Sequence, residues 1–109
     1  MVRVVHYVSE DGKDYFDIWF RSLSLQARSR IQTRIDRVEI GNFGDCKSVG
    51  RGVFELRIDF GPGYRLYFGR DGDDLVIVLG GGTKKRQSRD IAQAQIHWDT
   101  YRQEKRNAN

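Results

Sequence analysis

The spacing of large apolar residues changes once along this chain, from a helical period to a strand period. That change restricts the folds open to it. Between residues 13 and 23, Phe16, Trp19, Phe20 and Leu23 recur at three- and four-residue steps, which predicts one packed stripe on a helix. Asp11, in the turn Ser9-Glu10-Asp11-Gly12, is a candidate cap for it. Ser24 can cap a second helix, Leu25 to Ile40, with the stripe Ala27, Ile31, Ile35 and Val38. Arg28, Arg30, Arg34 and Arg37 lie off that stripe and read as a solvated face. Gly41-Asn42 supplies the stop. So short a connection between two helices predicts an antiparallel hairpin.

From Val53 the period is two. Phe54, Leu56, Ile58 and Phe60 fall on one face, and Glu55, Arg57 and Asp59 on the other. Gly61-Pro62-Gly63 is a turn, and Tyr64 to Gly69 is the return strand, with Leu66 and Phe68 opposite Arg65 and Tyr67. Arg70-Asp71-Gly72-Asp73 is a second hairpin turn. Leu75 to Leu79 is apolar without alternation, as expected of an inner strand covered on both faces, and Gly80-Gly81-Gly82 is read as its end. Residues 2–8 predict one more strand. Ser88 can cap a last helix, with Asp90 in its first turn and Ile91, Ala94 and Trp98 as its apolar edge; from Gln103 the chain is expected to fray.

The expected order is β-α-α-β-β-β-α, an α+β fold. Three strands form an antiparallel meander, the N-terminal strand joins the same sheet, the helical hairpin packs on one face, and a C-terminal helix follows. With 109 residues, the chain is read as a single domain over 1–109. Cys46 is the only cysteine, so no internal disulfide or cysteine-based zinc site is possible, which suits a reducing compartment. No apolar run is long enough to span a bilayer and no signal peptide is evident at Met1-Val2-Arg3, so a cytoplasmic protein without membrane contact is expected.

The formal net charge is +4, unevenly placed. Between residues 84 and 106, seven Lys and Arg face three acidic residues. A basic end favours a polyanionic partner. Arg57 and Arg65 sit mid-strand on neighbouring strands and flank Tyr67. Guanidinium groups bind phosphate oxygens bidentately and stay charged, so the pair can cradle a phosphate. The alternative is that they pair with Glu55 and Asp59 on an exposed sheet face. The run from Gly80 to Ser88 combines glycines, Lys84, Lys85 and Arg86 with a helix start. It can bind an anion or form a solvated basic turn; the Walker spacing is absent. His6 is expected to be packed and hydrogen-bonded, and His97 to lie on a helix surface. Neither falls in a metal-ligand spacing.

Four runs taken together carry a resemblance: Gly52-Val53-Phe54-Glu55-Leu56-Arg57-Ile58, Gly61-Pro62-Gly63-Tyr64-Arg65-Leu66-Tyr67-Phe68, Leu79-Gly80-Gly81-Gly82-Thr83-Lys84-Lys85, and Gln87-Ser88-Arg89-Asp90-Ile91-Ala92-Gln93-Ala94. They resemble the addiction module killer protein branch of the RelE/HigB/ParE toxin superfamily. The resemblance implies the toxin of a type II toxin–antitoxin module, neutralised by a cognate antitoxin. It further implies a metal-independent, ribosome-dependent endoribonuclease (an mRNA interferase) that inhibits translation. No cofactor is expected. The implied partners are the antitoxin, the ribosome and mRNA, with promoter DNA reached only through the antitoxin complex. Members similar to ParE instead inhibit DNA gyrase, and a toxin that only binds its antitoxin is a third reading.

Carried over by motif, Arg65 matches the arginine of the Gly-Tyr-Arg strand motif that contacts the scissile phosphate, and Arg57 that of the Glu-Leu-Arg motif. Lys84 and Lys85 fall where the superfamily places basic residues before the last helix. These four are the expected catalytic residues. RNA contacts are expected from Tyr64, Tyr67, Arg86, Gln87 and Arg89. Ile91 stands where similar nucleases carry a tyrosine, so that acid–base group is missing.

Overall fold

The computed structural model describes residues 1–108. Its strands are β1 (Arg3–His6), β2 (Cys46–Ser48), β3 (Val53–Ile58), β4 (Tyr64–Arg70) and β5 (Leu75–Thr83). Its helices are α1 (Tyr15–Arg21), α2 (Leu25–Glu39) and α3 (Gln87–Asn107), the last preceded by a 3₁₀ turn at Lys84–Arg86. The α+β reading holds, with one strand more than expected. β2 pairs antiparallel with β3 through Cys46–Leu56, Lys47–Glu55 and Ser48–Phe54. A three-residue edge strand leaves no periodicity to read.

The five strands form one sheet in the order β1-β5-β4-β3-β2. β1 runs parallel to β5, and the meander β3-β4-β5 is antiparallel. β5 therefore lies inside the sheet, which explains its unbroken apolar run. One face carries Leu56, Ile58, Leu66, Phe68, Val76 and Val78 against Phe16 of α1 and Ile31, Ile35 and Val38 of α2. The opposite face carries Val53, Tyr67, Ile77 and Leu79 against Ala94 and Trp98 of α3. Because the side-chain period of a strand is two, each meander strand feeds both cores alternately.

Local chemistry sets the helix starts. Ser24 caps α2 as expected, its hydroxyl accepting from the Ala27 N–H at 3.2 Å. The cap of α1 is Asp14, not Asp11: Asp14 Oδ1 accepts from the Asp17 N–H at 2.9 Å. Asp11 instead bonds the Ser9 hydroxyl inside the preceding turn. α3 begins at Gln87 with no side-chain cap bond, so Ser88 does not cap it.

Two further expectations are corrected. Gly80-Gly81-Gly82 does not end β5. It pairs with Tyr67, Leu66 and Arg65 of β4, and Thr83 pairs with Tyr64. Close approach explains two of the three: a Cβ on Gly81 would lie 2.3 Å from the Trp19 ring, and one on Gly82 would lie 1.9 Å from Asp90 Oδ2. Nor does the chain fray at Gln103. α3 runs on to Asn107 because the Tyr101 hydroxyl donates to Asp71 Oδ2 at 2.7 Å and Lys105 pairs with the same oxygen. These contacts pin its second half to the β4–β5 turn. Among the described residues no helix is long and apolar enough to cross a membrane.

Candidate active site

The meander register sets Arg57 of β3 directly opposite Arg65 of β4. Both lie on the α3 side of the sheet, and a buried carboxylate joins them. Glu55, two residues before Arg57 and so on the same face, is 0% exposed. Its Oε1 accepts from Arg57 Nε at 3.3 Å. Its Oε2 accepts from the Tyr67 hydroxyl at 3.2 Å and from Gln87 Nε2 at 2.7 Å. Arg65 Nε lies 3.6 Å from Oε2, within ion-pair range but without a hydrogen bond. Glu55 thus ties both arginines to the first residue of α3.

The β3–β4 turn completes the placement of Arg65. The Gly63 carbonyl accepts from Arg65 Nη1 at 2.8 Å and from the Lys84 backbone N–H at 3.1 Å. Gly63 has φ +78°, a left-handed conformation that favours glycine. That one carbonyl therefore joins the arginine strand to the basic 3₁₀ turn. Arg57, Arg65, Lys84 and Tyr64 line a common cavity of about 280 Å³ together with Asp45 and Asp59. The side chain of Arg57 is 40% exposed and that of Arg65 8%. One cation is thus open to solvent and the other is held nearly dry.

Two strands, a tight turn and a helix start therefore bring cations together over a buried acid, and residues 18–109 carry this whole arrangement. Those residues match the family described as Phage derived protein Gp49-like (DUF891). The chain belongs to that family. It is a type II toxin–antitoxin toxin family within the RelE/HigB-like toxin group, so a cognate antitoxin is implied. An uncharacterized protein of Haemophilus influenzae is 51% identical over 82 residues, covering 74% of this chain and 83% of that protein.

In this Gp49-like chain the expected site residues divide by position. Arg57, Arg65, Lys84 and Tyr64 share the cavity. Gln87 is outside the cavity lining and is tied to the two arginines through Glu55. Lys85, Arg86 and Arg89 are exposed on the 3₁₀ turn and the first turn of α3, outside the cavity lining. Tyr67 is a correction: it is 1% exposed and offers no ring face for stacking on a base. Burial, reinforced by the Glu55 charge, pushes its hydroxyl pKa well up, which makes it a poor proton donor. The Gly80–Gly82 backbone is a correction too, because it is paired with β4 and is not free to wrap an anion.

Sequence reasoning weighed Glu55 only as a counter-ion on an exposed face. That face is covered by α3. The sequence carries only part of that: Glu55 shares a strand face with Val53, and Ile91, Ala94 and Trp98 form an apolar helix edge that must cover some face, but not which one. His97 is a further correction, being 6% exposed. Its ring stacks between Tyr7 and Tyr15, with centroids at 5.2 and 4.4 Å. Gln93 Nε2 approaches its Nε2 at 2.8 Å. Burial lowers its pKa. Arg34 departs from the solvated face expected of it: it donates to the carbonyls of Arg57 and Phe43 and so fastens α2 to the end of β3. His6 meets its expectation in part: Nδ1 lies 2.7 Å from Asp14 Oδ2 and its ring sits edge-on to Phe16, but the residue is exposed at the end of β1.

Proposed function

We propose that residues 1–109 act as one toxin domain of the addiction module killer protein branch, a ribosome-dependent mRNA endoribonuclease working in the cytoplasm and held in check by its antitoxin. Promoter DNA is reached only through the antitoxin complex. The observation that carries this reading is the shared cavity of Arg57, Arg65 and Lys84, with two guanidinium groups cross-strand from one another.

The nucleophile in this scheme is the 2′-hydroxyl of the RNA. Its attack on the adjacent phosphorus gathers negative charge on the phosphorane oxygens before the 5′-oxygen leaves. Preorganised cations stabilise that charge without reorganising at the moment of reaction. Glu55 and the Gly63 carbonyl hold Arg65 in place beforehand. The buried Arg65 Nε has no hydrogen bond. That guanidinium is therefore incompletely satisfied, and charge arriving nearby in a dry setting acts on it strongly. Arg57, more exposed, meets the incoming strand. Lys84 adds charge, and its ammonium can donate a proton to the leaving oxygen; the Asp59 carboxylate in the same cavity can accept one from the attacking hydroxyl.

One observation favours a second reading, inhibition of DNA gyrase. Ile91 supplies no acid–base group, and Tyr67 is locked on Glu55; a gyrase inhibitor needs neither group. Mapping transcript ends after induction separates the two. In-frame cuts that depend on ribosomes support RNA cleavage, whereas DNA damage without such cuts supports gyrase. Arg65→Ala is expected to lower cleavage on the order of a hundred- to a thousand-fold while the variant still captures the antitoxin. Undiminished growth arrest by Arg65→Ala would remove Arg65 from the mechanism.

A further inference from the structure

A second hollow adjoins the arginine cavity. It has a volume of about 220 Å³ and is walled by Arg30, Arg34 and Arg37 of α2 and by Phe60. Ile58 and Asp59 line both hollows, so the two meet at the end of β3. Arg34 spends its guanidinium on two backbone carbonyls. Arg30 and Arg37 are exposed, and among the described residues neither pairs with a carboxylate. The Arg30 guanidinium lies over the Phe60 ring, 4.7 Å from its centroid. Phe60 stacks on Tyr64 at 6.4 Å with an interplanar angle of 22°, and Tyr64 belongs to the arginine cavity. Two aromatic rings therefore connect two groups of cations.

We infer that this α2 groove carries the phosphodiester backbone of single-stranded RNA away from the Arg57–Arg65 cavity. Arg30 and Arg37 contact phosphates, and the Phe60–Tyr64 pair supports bases. The inference rests on the endonuclease reading and extends it to the nucleotides flanking the cut. Single strands are held by cations that track the backbone and by rings that stack under bases; this groove has the cations and Phe60, and Tyr64 continues the ring surface into the arginine cavity. An acidic protein segment would need the cations but not the interleaved rings. Asp59 stands in the shared wall and opposes an anion there. It marks the point where charge can be relieved experimentally.

The test uses the full chain, co-expressed with its antitoxin and separated from it before assay, with Arg30→Ala and Arg37→Ala combined. Neither side chain carries a hydrogen bond that holds the fold, and thermal melting checks that the variant is folded. The probe is a labelled 2′-O-methyl RNA of about 12 nucleotides, which lacks the attacking hydroxyl and stays intact; its binding is read by anisotropy. The double variant is expected to bind about tenfold more weakly at low salt. The slope of log K against log salt should become shallower by about 1.4, from about 0.7 for each lost phosphate contact. Asp59→Asn is expected to tighten binding.

Co-sedimentation with ribosomes is the second arm. Loss on the oligonucleotide supports the groove as the transcript's path, and loss on ribosomes alone assigns it to ribosomal RNA and overturns the inference. Wild-type binding on both arms overturns the inference, as does a defect confined to antitoxin capture. The two readings fail separately. If wild-type protein leaves transcripts uncut while the double variant loses the oligonucleotide, the nuclease reading falls and the groove stands. If wild type cuts transcripts and the double variant binds and cuts equally well, the groove alone falls.

Discussion

Replacing Glu55 tests the centre of the site directly. Glu55 is 0% exposed and Arg65 is 7% exposed, so Glu55→Ala strands a guanidinium in the interior without a counter-charge. Breaking a buried pair by removing one partner costs about 3–5 kcal/mol, because the remaining charge stays desolvated. The Tyr67 hydroxyl and the Gln87 amide lose their acceptor as well, so the upper part of that range is expected. The Arg57 contact adds little, because a pair that is largely open to water is worth about 0.2–1 kcal/mol. Domains of this kind are stable by only about 5–15 kcal/mol, so the loss is a large share of the total.

Urea unfolding followed by tryptophan fluorescence measures it. With a slope of about 1–3 kcal/mol per molar urea, the midpoint should fall by at least about 1 M. A cycle with Arg65→Met isolates the cause. Once the arginine is gone, Glu55→Ala should cost less, with a coupling of about 0.5–3 kcal/mol. An unchanged midpoint for Glu55→Ala, or strict additivity in the cycle, would refute the view that Glu55 holds Arg65 by charge.

Three further outcomes follow from the packing. Burial lowers the His97 pKa below its ordinary 6.5, so the unfolded chain binds the extra proton first. Stability is therefore full above about pH 6.5 and falls as the pH drops below it; His97→Gln should flatten that part of the urea midpoint–pH curve, and an identical curve would contradict the assignment. Gly81→Ala drives a methyl into the Trp19 ring and should cost about 1–3 kcal/mol, read as a lower Tm with α1 the first element to lose hydrogen-exchange protection. Asp71→Ala removes the partner of Tyr101, whose hydroxyl pKa is pushed up to about 12 by burial and by Asp71. Amides in residues 102–107 should then exchange at least about tenfold faster, given about 1.5–3 kcal/mol for hydrogen bonds to a charged group; unchanged exchange would mean that α3 does not depend on that anchor.

Elements whose cause lies within a few residues were legible in the amino-acid order. The stripe Ala27, Ile31, Ile35 and Val38 is buried as its spacing required, Ser24 caps α2, and the meander turns fall at Gly61-Pro62-Gly63 and Asp71–Asp74. Such features follow from backbone propensity and side-chain period, which act over a turn of helix or a pair of strand residues. The residue pairing of Arg57 with Arg65 was also near the surface of the sequence, because a tight hairpin constrains its own register.

Tertiary structure alone decided which groups became dry. Whether Glu55 faces water or a helix depends on where α3 crosses the sheet, and that is set by Trp98 and Ala94 docking beside Tyr67 and Ile77. The same docking buried His97 and Tyr67 and aligned Gln87 with Glu55. It also placed Asp90 against Gly82 on the strand that pairs with Arg65. A carboxylate's neighbours and its exposure are contacts between segments far apart in the chain. No local period encodes them, so the charge arrangement of the site emerges only when both faces of the sheet are covered.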